Sequence, residues 1–318
     1  MRAMVCHRLT PDRSGLVFEA AWPEPLPPGP GEVTVAVAHA ALNYPDVLML
    51  SGGYQFAPPL PFIPGVEGSG TIIDVGAGVD PDRIGEVVLV GARSGLFAER
   101  ITVAAGAVRR CPSLPLGQAA AYTVAALTTY VALVRRGRLV AGERLAVSGA
   151  GGGTGLAAVA LGSALGAHVV ALVSTTEKGE AAQRAGAAEI VLVPRAAPVP
   201  ALPSIDVVFD AVGGRLTHHL LNALRRTGRY LVIGFVGGIG TVATGDLLVR
   251  ELEIIGVRAG EFARRDPAGG LDNLAAIDTL APRMAPHIGL HVPLADAAFA
   301  FAMMADGRLT GKAVIDCA

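Results

Sequence analysis

The sequence predicts an α/β protein with two domains, one built on a doubly wound parallel sheet and the other rich in β-strands. Three observations support this prediction. Apolar residues alternate at period two in the first third of the chain, short strands alternate with helices in the middle, and a glycine-rich turn joins one of those strands to its helix. The 318 residues are enough for about two domains of ordinary size.

Short strands separated by proline and glycine make up the first third of the sequence. GEVTVAVAHAAL alternates apolar and polar positions, and TIIDVGAGV, GEVVLV and FAERITVA continue the pattern. The proline-rich run from Pro23 to Glu32 predicts an extended connection. The C-terminal part ends in another predicted strand, KAVIDC, and we expect it to fold back onto these strands. Residues 1–117 and 259–318 are therefore assigned to the β-rich domain.

The middle of the chain, residues 118–258, is assigned to the parallel-sheet domain. LGQAAAYTVAALTTYVALVRRG predicts a helix, and the arginines near its end, Arg135, Arg136 and Arg138, suit the negative end of a helix dipole. Strands and helices then alternate. The predicted strands are RLAVSG, AHVVALVS, EIVLV, IDVVFDAV, GRYLVIGF and EIIGVR, and helices are predicted over TGLAAVALGSALG, EKGEAAQRAG and GGRLTHHLLNALR. This order predicts a parallel sheet with helices on both faces.

The glycine-rich turn reads AVSGAGGGTGL and lies between a predicted strand and a predicted helix. Small residues with the GxGxxG spacing, here beginning with alanine, permit a tight turn and close approach of a pyrophosphate to backbone N–H groups at a helix N-terminus. In this strand–turn–helix context the turn predicts a Rossmann dinucleotide site. Its residues are Ala150, Gly151, Gly152, Gly153, Thr154 and Gly155.

The end of the next strand favours NADPH over NADH. Proteins that bind NAD usually have an Asp or Glu there, which holds the ribose 2′-hydroxyl. This chain has Ser174 and Thr175 instead. These small hydroxyl side chains leave room for a 2′-phosphate, which Lys178 can neutralise, with Arg195 as a second cation. Glu177 could serve as the ribose acid, but we expect it to face solvent in the first helical turn, where the dipole favours negative charge.

Composition excludes several classes of protein. A net charge of −1 gives no electrostatic reason to expect nucleic acid or an anionic membrane as a partner. No stretch has the roughly 18 uninterrupted apolar residues of a membrane helix, and no N-terminal signal peptide is evident. The three distant cysteines argue against a disulfide framework and against a cysteine-cluster zinc site. We expect a cytoplasmic protein with a small-molecule substrate.

The motifs together resemble the medium-chain dehydrogenase/reductase superfamily, and within it the zinc-free quinone oxidoreductase branch related to zeta-crystallin. The segments that carry the resemblance occur in the family's order: ALNYPDVLMLSGGY, PFIPGVEGSGTIIDVGAGV, AAAYTVAALTTYVAL, GERLAVSGAGGGTGLAAVAL, DVVFDAVGG, LLVRELEIIGV and GRLTGKAVI. The resemblance implies that the β-rich domain is a GroES-like catalytic domain.

The zinc ligands of related alcohol dehydrogenases are missing from the matching segments. Where those enzymes have a Gly-His-Glu motif, this chain has Gly65, Val66 and Glu67, and their earlier cysteine ligand falls near Asn43 and Asp46. We expect no metal, because the histidines form no evident ligand set in the sequence. They are His7, His39, His168, His218, His219, His287 and His291.

Without a Lewis acid to ionise an alcohol, the resemblance implies hydride transfer from NADPH to an electron-poor acceptor, a quinone or an α,β-unsaturated carbonyl. It places Asn43 near the nicotinamide and the substrate, Tyr54 in the active site and Thr128 against the nicotinamide. Tyr54 either polarises the acceptor carbonyl or packs against the following prolines. Leu48 replaces a tyrosine found in some relatives and indicates a more apolar pocket.

Further cofactor contacts are expected where strands of the parallel sheet end, because ligands bind at the carboxyl ends of such strands. Lys312 either approaches the cofactor phosphates or is simply exposed, and Asp46 is expected to cap a turn rather than act as a base. The expected strand-end contacts are Val212, Gly234, Phe235, Val236 and Val257.

Two alternative functions remain open at this point. The chain could reduce an enoyl thioester or a specialised metabolite on the same fold, or it could bind NADPH without catalysis. We also expect a homodimer, because the apolar strands GRYLVIGF and ELEIIGVR lie near a possible sheet edge that would need cover.

Overall fold

The computed structural model describes residues 1–56, 58–195 and 197–318, which form two compact units. The first unit comprises Met1–Thr123 and Ile288–Ala318, and the second comprises Val124–His287. Residues 259–287, assigned to the β-rich domain from the sequence, fall in the second unit. They form helices that pack against other helices of that unit, which explains the difference.

The first unit is built on β-strands. They are β1 Ala3–Cys6, β2 Leu16–Glu19, β3 Glu32–Ala41, β4 Glu67–Val75, β5 Val87–Gly91, β6 Arg100–Ala104, β7 Val108–Arg110, β14 Ile288–Pro293 and β15 Lys312–Asp316. A seven-stranded sheet has the order β14-β15-β3-β4-β5-β7, with β6 also paired to β3, and β1 and β2 form a separate antiparallel pair. The helices are α1 Tyr44–Leu50, α2 Leu116–Ala120 and α10 Ala297–Ala305.

Strand β3 organises this unit. Its alternating Val33, Val35 and Val37 are buried in the core, as the period-two pattern predicts. The C-terminal strand β15 pairs antiparallel with β3, so that Val314 lies opposite Ala41. The C-terminal strand β15 is therefore part of the same sheet as the N-terminal strands β3 to β7.

The second unit contains the predicted parallel sheet. Its strands are β8 Arg144–Ser148, β9 His168–Val173, β10 Glu189–Leu192, β11 Ile205–Asp210, β12 Leu224–Val232 and β13 Glu253–Gly256. The six strands have the order β10-β9-β8-β11-β12-β13, and every neighbouring pair is parallel. The helices are α3 Thr123–Tyr130, α4 Gly153–Ala164, α5 Thr176–Arg184, α6 Leu216–Ala223, α7 Thr244–Arg250, α8 Ala259–Arg265 and α9 Pro267–Leu280.

The strand order reverses between β8 and β11, the neighbouring central strands. In open parallel sheets the ligand crevice lies outside the carboxyl ends of the strands at such a reversal. Because all six strands are parallel, the segments that follow them all leave the sheet at the carboxyl ends of the strands. We call this end of the sheet the nucleotide edge; it is distinct from the outermost strands β10 and β13. No helix of the described residues has both the length and the apolar character needed to span a bilayer.

The helical segments differ from the predictions in several places, and helices α1, α8, α9 and α10 were not predicted. The long helix predicted from Leu116 is divided into α2, α3 and a π-helical stretch over Val131–Arg136. Beyond it, Arg138 pairs with Glu253 rather than with a helix end. Helix α7 was not predicted either: its sequence TGDLLVR is short, and Leu248 and Val249 are exposed while only Leu247 packs, partly buried, on the core.

Candidate active site

The glycine-rich turn connects β8 to α4 at the centre of the nucleotide edge. Gly149 has a φ of +63°, a conformation that glycine adopts without strain. A Cβ on Gly155 would overlap the carbonyl oxygen of Gly149, so only glycine lets the first turn of α4 lie this close to the strand end. Gly152 is the N-cap residue of α4. The turn therefore has the close packing that the GxGxxG spacing predicts.

The N-terminus of α4 supplies hydrogen-bond donors at this edge. The first backbone N–H groups of the 12-residue helix, those of Gly153, Thr154 and Gly155, have no acceptor within the helix, and the dipole gives this end partial positive charge. Thr129 donates a hydrogen bond to the Thr154 carbonyl at 3.5 Å and so holds α3 beside the turn. Its neighbour Thr128 is half-buried.

Two cationic side chains lie close to each other beyond β9 and β10. The Lys178 side chain covers Gly151, where any Cβ would overlap it. Burial lowers the pKa of Lys178, the charge of Arg195 lowers it further, and the charge of Glu177 acts in the opposite direction. Thr175 caps α5 by accepting the Lys178 backbone N–H at 3.3 Å. Ser174 is half-buried at the end of β9.

Glu177 lies exposed in the first turn of α5. This confirms the orientation expected from the sequence, in which the carboxylate faces solvent near the positive end of the helix dipole.

A buried network that the sequence analysis missed fixes the loops after β8 and β11. Asp210 accepts hydrogen bonds from the hydroxyls of Ser148 and Tyr230, and also from the backbone N–H groups of Val212 at 3.0 Å and Gly213 at 2.9 Å. Burial, followed by the Asp210 charge, raises the pKa of Tyr230. The phenol therefore stays protonated as a donor. The sequence signal for this network is an acidic residue within an apolar strand, as in VVFDAV, because a buried carboxylate needs hydrogen-bond donors around it.

The remaining strand ends lie along the same edge. Val212 packs against Gly149 on one side and Gly237 on the other, and its carbonyl accepts the Gly237 N–H at 2.7 Å. Gly234 follows β12 and donates to the Asp210 carbonyl at 3.3 Å. Phe235 and Val236 are about half exposed, and Val257 follows β13 and is buried. All of the cofactor positions predicted after strands of the sheet thus share this edge, with Phe235 and Val236 accessible to solvent.

The first unit contains a buried polar network that includes Asn43 and Lys312. The Lys312 ammonium donates to Asn43 Oδ1 at 2.7 Å and to Glu67 Oε1 at 2.8 Å, and Asn43 Nδ2 donates to Glu67 at 3.0 Å and to the Ala41 carbonyl at 3.2 Å. Lys312 is 4% exposed and Glu67 2% exposed. The alternative that Lys312 is simply exposed is wrong. Both N–H groups of the Asn43 amide are used, so this network holds Asn43 in place.

Asp46 caps helix α1, as expected. It accepts the Asn43 backbone N–H at 2.8 Å, and its other oxygen accepts the Gly65 N–H at 3.1 Å. Its side chain is fully buried, and burial raises its pKa to about 7 despite these donors and the nearby charge of Lys312. Asp46 therefore joins Asn43 to the Gly65–Glu67 segment.

Tyr54 lies in the loop after α1 and packs, partly buried, on the core of the first unit. Within the part of the chain that the structure describes, its hydroxyl has no hydrogen-bond partner. Tyr54 thus packs on the core, its packing against the following prolines stays a prediction, and its hydroxyl keeps its capacity to donate. Leu48, in α1, is half-buried.

Two of the histidines lie with an aspartate in a group that could hold a metal ion, a grouping that the sequence did not indicate. His39 and His291 lie with Asp316 in a group whose potential ligand atoms are all within 4.8 Å of one another. The three residues are distant in sequence, and only the pairing of β3, β15 and β14 brings them together. Sequence spacing alone could not find them.

Comparisons with known proteins agree with this architecture. Residues 29–136 match the model of the alcohol dehydrogenase GroES-like domain, and residues 153–276 match that of the zinc-binding dehydrogenases. Quinone oxidoreductase-like protein 2 of Bos taurus is 31% identical over 99% of this chain and 92% of its own. The chain belongs to the medium-chain dehydrogenase/reductase superfamily, in its quinone oxidoreductase branch. The predicted fold class, Rossmann sheet plus GroES-like domain, is confirmed.

Solved structures of this superfamily include similar chains. The quinone oxidoreductase of Thermus thermophilus, solved also in complex with NADPH, is 30% identical with a TM-score of 0.84, over 99% of this chain and 100% of that one. A probable oxidoreductase from Mycobacterium abscessus is 30% identical with a TM-score of 0.85, over 99% and 98% of the two chains.

The residues of this superfamily member fit a dinucleotide and do not fit a catalytic zinc. The glycine turn is a cradle that a Cβ at Gly151 or Gly155 would fill. Where zinc ligands would be expected, Asn43 and Val66 offer neither a thiolate nor an imidazole, and the Lys312 ammonium already lies against Asn43 and Glu67.

We expect Gly155→Ala to destabilise the second unit of this oxidoreductase, because the new methyl group would overlap the Gly149 carbonyl and force α4 away from β8. A loss of about 1–3 kcal/mol in the free energy of unfolding is typical of such overpacking. Gly152→Ala is the matched control, since its Cβ would meet only the Gly149 oxygen at 3.5 Å, an ordinary contact. Urea denaturation measures both variants. Equal stability of the two would contradict this account of the turn.

Stability should also depend on pH through Asp46. Its folded pKa, about 7, lies above its ordinary value of 3.8, so its contribution is complete below pH 3.8 and is lost as pH rises through 7. Relative to wild type, Asp46→Asn should gain up to about 1.4 kcal/mol of unfolding free energy per pH unit between those values. The exposed Asp74→Asn serves as the control. Parallel pH profiles for wild type and Asp46→Asn would refute the prediction.

Proposed function

We propose that this chain is an NADPH-dependent oxidoreductase that transfers a hydride to a quinone or an α,β-unsaturated carbonyl. The observation that carries the cofactor choice is the Lys178 side chain, which lies across Gly151 of the glycine turn, with the charge of Arg195 near enough to lower the pKa of Lys178. A 2′-phosphate would neutralise these charges, whereas a ribose hydroxyl would not. The NADPH complex of the Thermus thermophilus relative supports the same choice.

The nucleotide edge would bind the cofactor through groups already described. The N–H groups of Gly153, Thr154 and Gly155 face the place of a pyrophosphate at the N-terminus of α4. Ser174 and Thr175 are small enough to leave room for the 2′-phosphate next to Lys178. Thr128, together with Val212, Gly234, Phe235, Val236 and Val257, would contact the nicotinamide half.

The protein's part in the reaction is orientation and stabilisation of charge. NADPH, when bound, supplies the hydride. In our proposal Asn43, fixed by Glu67 and Lys312, positions the acceptor and the nicotinamide. The Tyr54 hydroxyl donates a hydrogen bond to the acceptor oxygen, either directly or through water, as negative charge develops there. Lys312 contributes by holding Asn43 and by supplying positive charge to the same network.

The proposal predicts NADPH oxidation with 1,4-benzoquinone, 9,10-phenanthrenequinone or simple enones, at a kcat/KM well above that with NADH. Lys178→Ala should raise the KM for NADPH by about tenfold or more, the worth of one charge-assisted hydrogen bond, and leave the value for NADH nearly unchanged. Arg195→Ala should act in the same direction. Arg184→Ala, on the exposed last turn of α5, is the matched control.

Equal use of NADH and NADPH by wild type, or equal effects of Lys178→Ala and Arg184→Ala, would overturn the cofactor assignment. Tight NADPH binding without turnover on this panel would overturn the acceptor class. It would favour an enoyl thioester or specialised metabolite as substrate, or a non-catalytic role in binding NADPH.

We also propose that the chain forms a homodimer through β13. This strand is one edge of the six-stranded sheet, and Leu248 and Val249 on the preceding helix are 82% and 69% exposed. An unpaired edge beside exposed apolar side chains favours association with a second copy.

In sedimentation or light scattering at micromolar concentration, wild type should have twice the chain mass of 32.3 kDa. Ile254→Lys places a charge on β13 and should give a monomer. Ile190→Lys makes the same change on the opposite edge strand, β10, at the same 36% exposure, and should remain a dimer. A monomeric wild type, or dissociation by both variants alike, would contradict the proposal.

A further inference from the structure

A compact cluster of two imidazoles and a carboxylate lies on the sheet of the first unit, apart from the Asn43 network. Both imidazoles contact one oxygen of Asp316: His39 through Nδ1 at 2.7 Å, and His291 through Nε2 at 2.6 Å. The two rings are 5.7 Å apart between centroids and inclined by 65°. Three potential ligand atoms therefore converge on one small volume.

Strand pairing holds the cluster in register. His39 on β3 is directly opposite Asp316 on β15, and the neighbouring strand β14 carries His291, which is paired with Val314. Residues 314 and 316 are two apart on β15, so their side chains point to the same face of the sheet. Three adjacent strands thus each contribute one side chain from fixed backbone positions.

We propose that His39, His291 and Asp316 bind a divalent transition metal ion, with Zn²⁺ as the ion of choice. Two imidazole nitrogens and one carboxylate oxygen are the donor types that zinc prefers, and three protein ligands leave a fourth position for water. The side chains of His39, Asp316 and His291 are 24%, 43% and 50% exposed, so an ion and its water ligand can reach them from solvent.

The geometry requires only a small adjustment. Ligand atoms around tetrahedral zinc are about 3.4 Å apart, given metal–ligand distances near 2.1 Å. The two nitrogens would each retreat from Asp316 Oδ1 by less than about 1 Å, a movement within the reach of side-chain rotation on a fixed sheet. Binding would replace any proton shared between a ring nitrogen and the carboxylate, so metal uptake should release protons.

A bound ion would cross-link strands that are distant from one another in sequence. His39 and Asp316 are 277 positions apart in sequence, and His291 lies 25 positions before Asp316. The ion would therefore cross-link β15 to both of its neighbouring strands, β3 and β14. Since only the folded chain brings these ligands together, metal binding would stabilise it by mass action.

The test is calorimetric titration of tag-free, chelator-treated protein with Zn²⁺, and with Co²⁺ as a probe whose visible absorption reports its coordination. Wild type should bind one ion per chain, and its melting temperature should rise with Zn²⁺. Loss of a residue that only hydrogen-bonds to a metal ligand commonly weakens a metal site by about 10–100-fold, so His39→Ala and His291→Ala should weaken binding by at least that much. Both variants should melt close to wild type without metal, because neither ring lies in the core.

His218→Ala is the matched control, because His218 and His219 form another pair of neighbouring rings, with centroids 6.1 Å apart. It should bind the ion as wild type does. No stoichiometric binding by wild type would overturn the proposal and leave the cluster as a histidine–carboxylate ion pair. Undiminished binding by both ligand variants would also overturn it, by showing that the ion binds elsewhere. These readouts involve no enzymatic turnover, so they stand apart from the assignment of hydride transfer.

Discussion

The parallel pairing of six strands is the constraint on which the nucleotide edge depends. Parallel pairing sends every strand's carboxyl end to one side of the sheet, and the reversal between β8 and β11 opens a crevice there. Segments that follow six different strands, and that are distant from one another in sequence, then lie at the same end of the sheet. A buried carboxylate at a strand end needs hydrogen-bond donors. Asp210 accepts them from the backbone N–H groups of Val212 and Gly213, and these bonds fix the loop that follows β11.

The first unit handles buried charge in a related way. Lys312, Glu67 and Asp46 are all nearly inaccessible, and a lone charge there would be costly. Lys312 is compensated by Glu67 and by the Asn43 amide, whereas Asp46 is desolvated enough to be protonated near neutral pH. Glu67 accepts hydrogen bonds from the Lys312 ammonium and from the Asn43 amide, and so it anchors both side chains.

The sequence was sufficient for the fold class and for most of the nucleotide edge, since strand–helix alternation and glycine spacing are local signals. It could not reveal α7, whose seven residues are too few and too exposed to show a helical period, or the break in the helix from Leu116 into a π-helical stretch. The histidine cluster and the Lys312 contacts were also beyond its reach. Both depend on strand register between residues hundreds of positions apart, which periodicity does not encode.

The Lys178 side chain, lying across Gly151, links two properties that are usually treated as separate. A Cβ at residue 151 would occupy the volume of the aliphatic part of the Lys178 side chain. The position of the lysine therefore depends on the absence of a side chain at residue 151. Substitutions at these two positions should therefore be epistatic. Residue 151 could gain a side chain only after the lysine had been replaced or had moved, so the structure constrains the order in which the two positions can change.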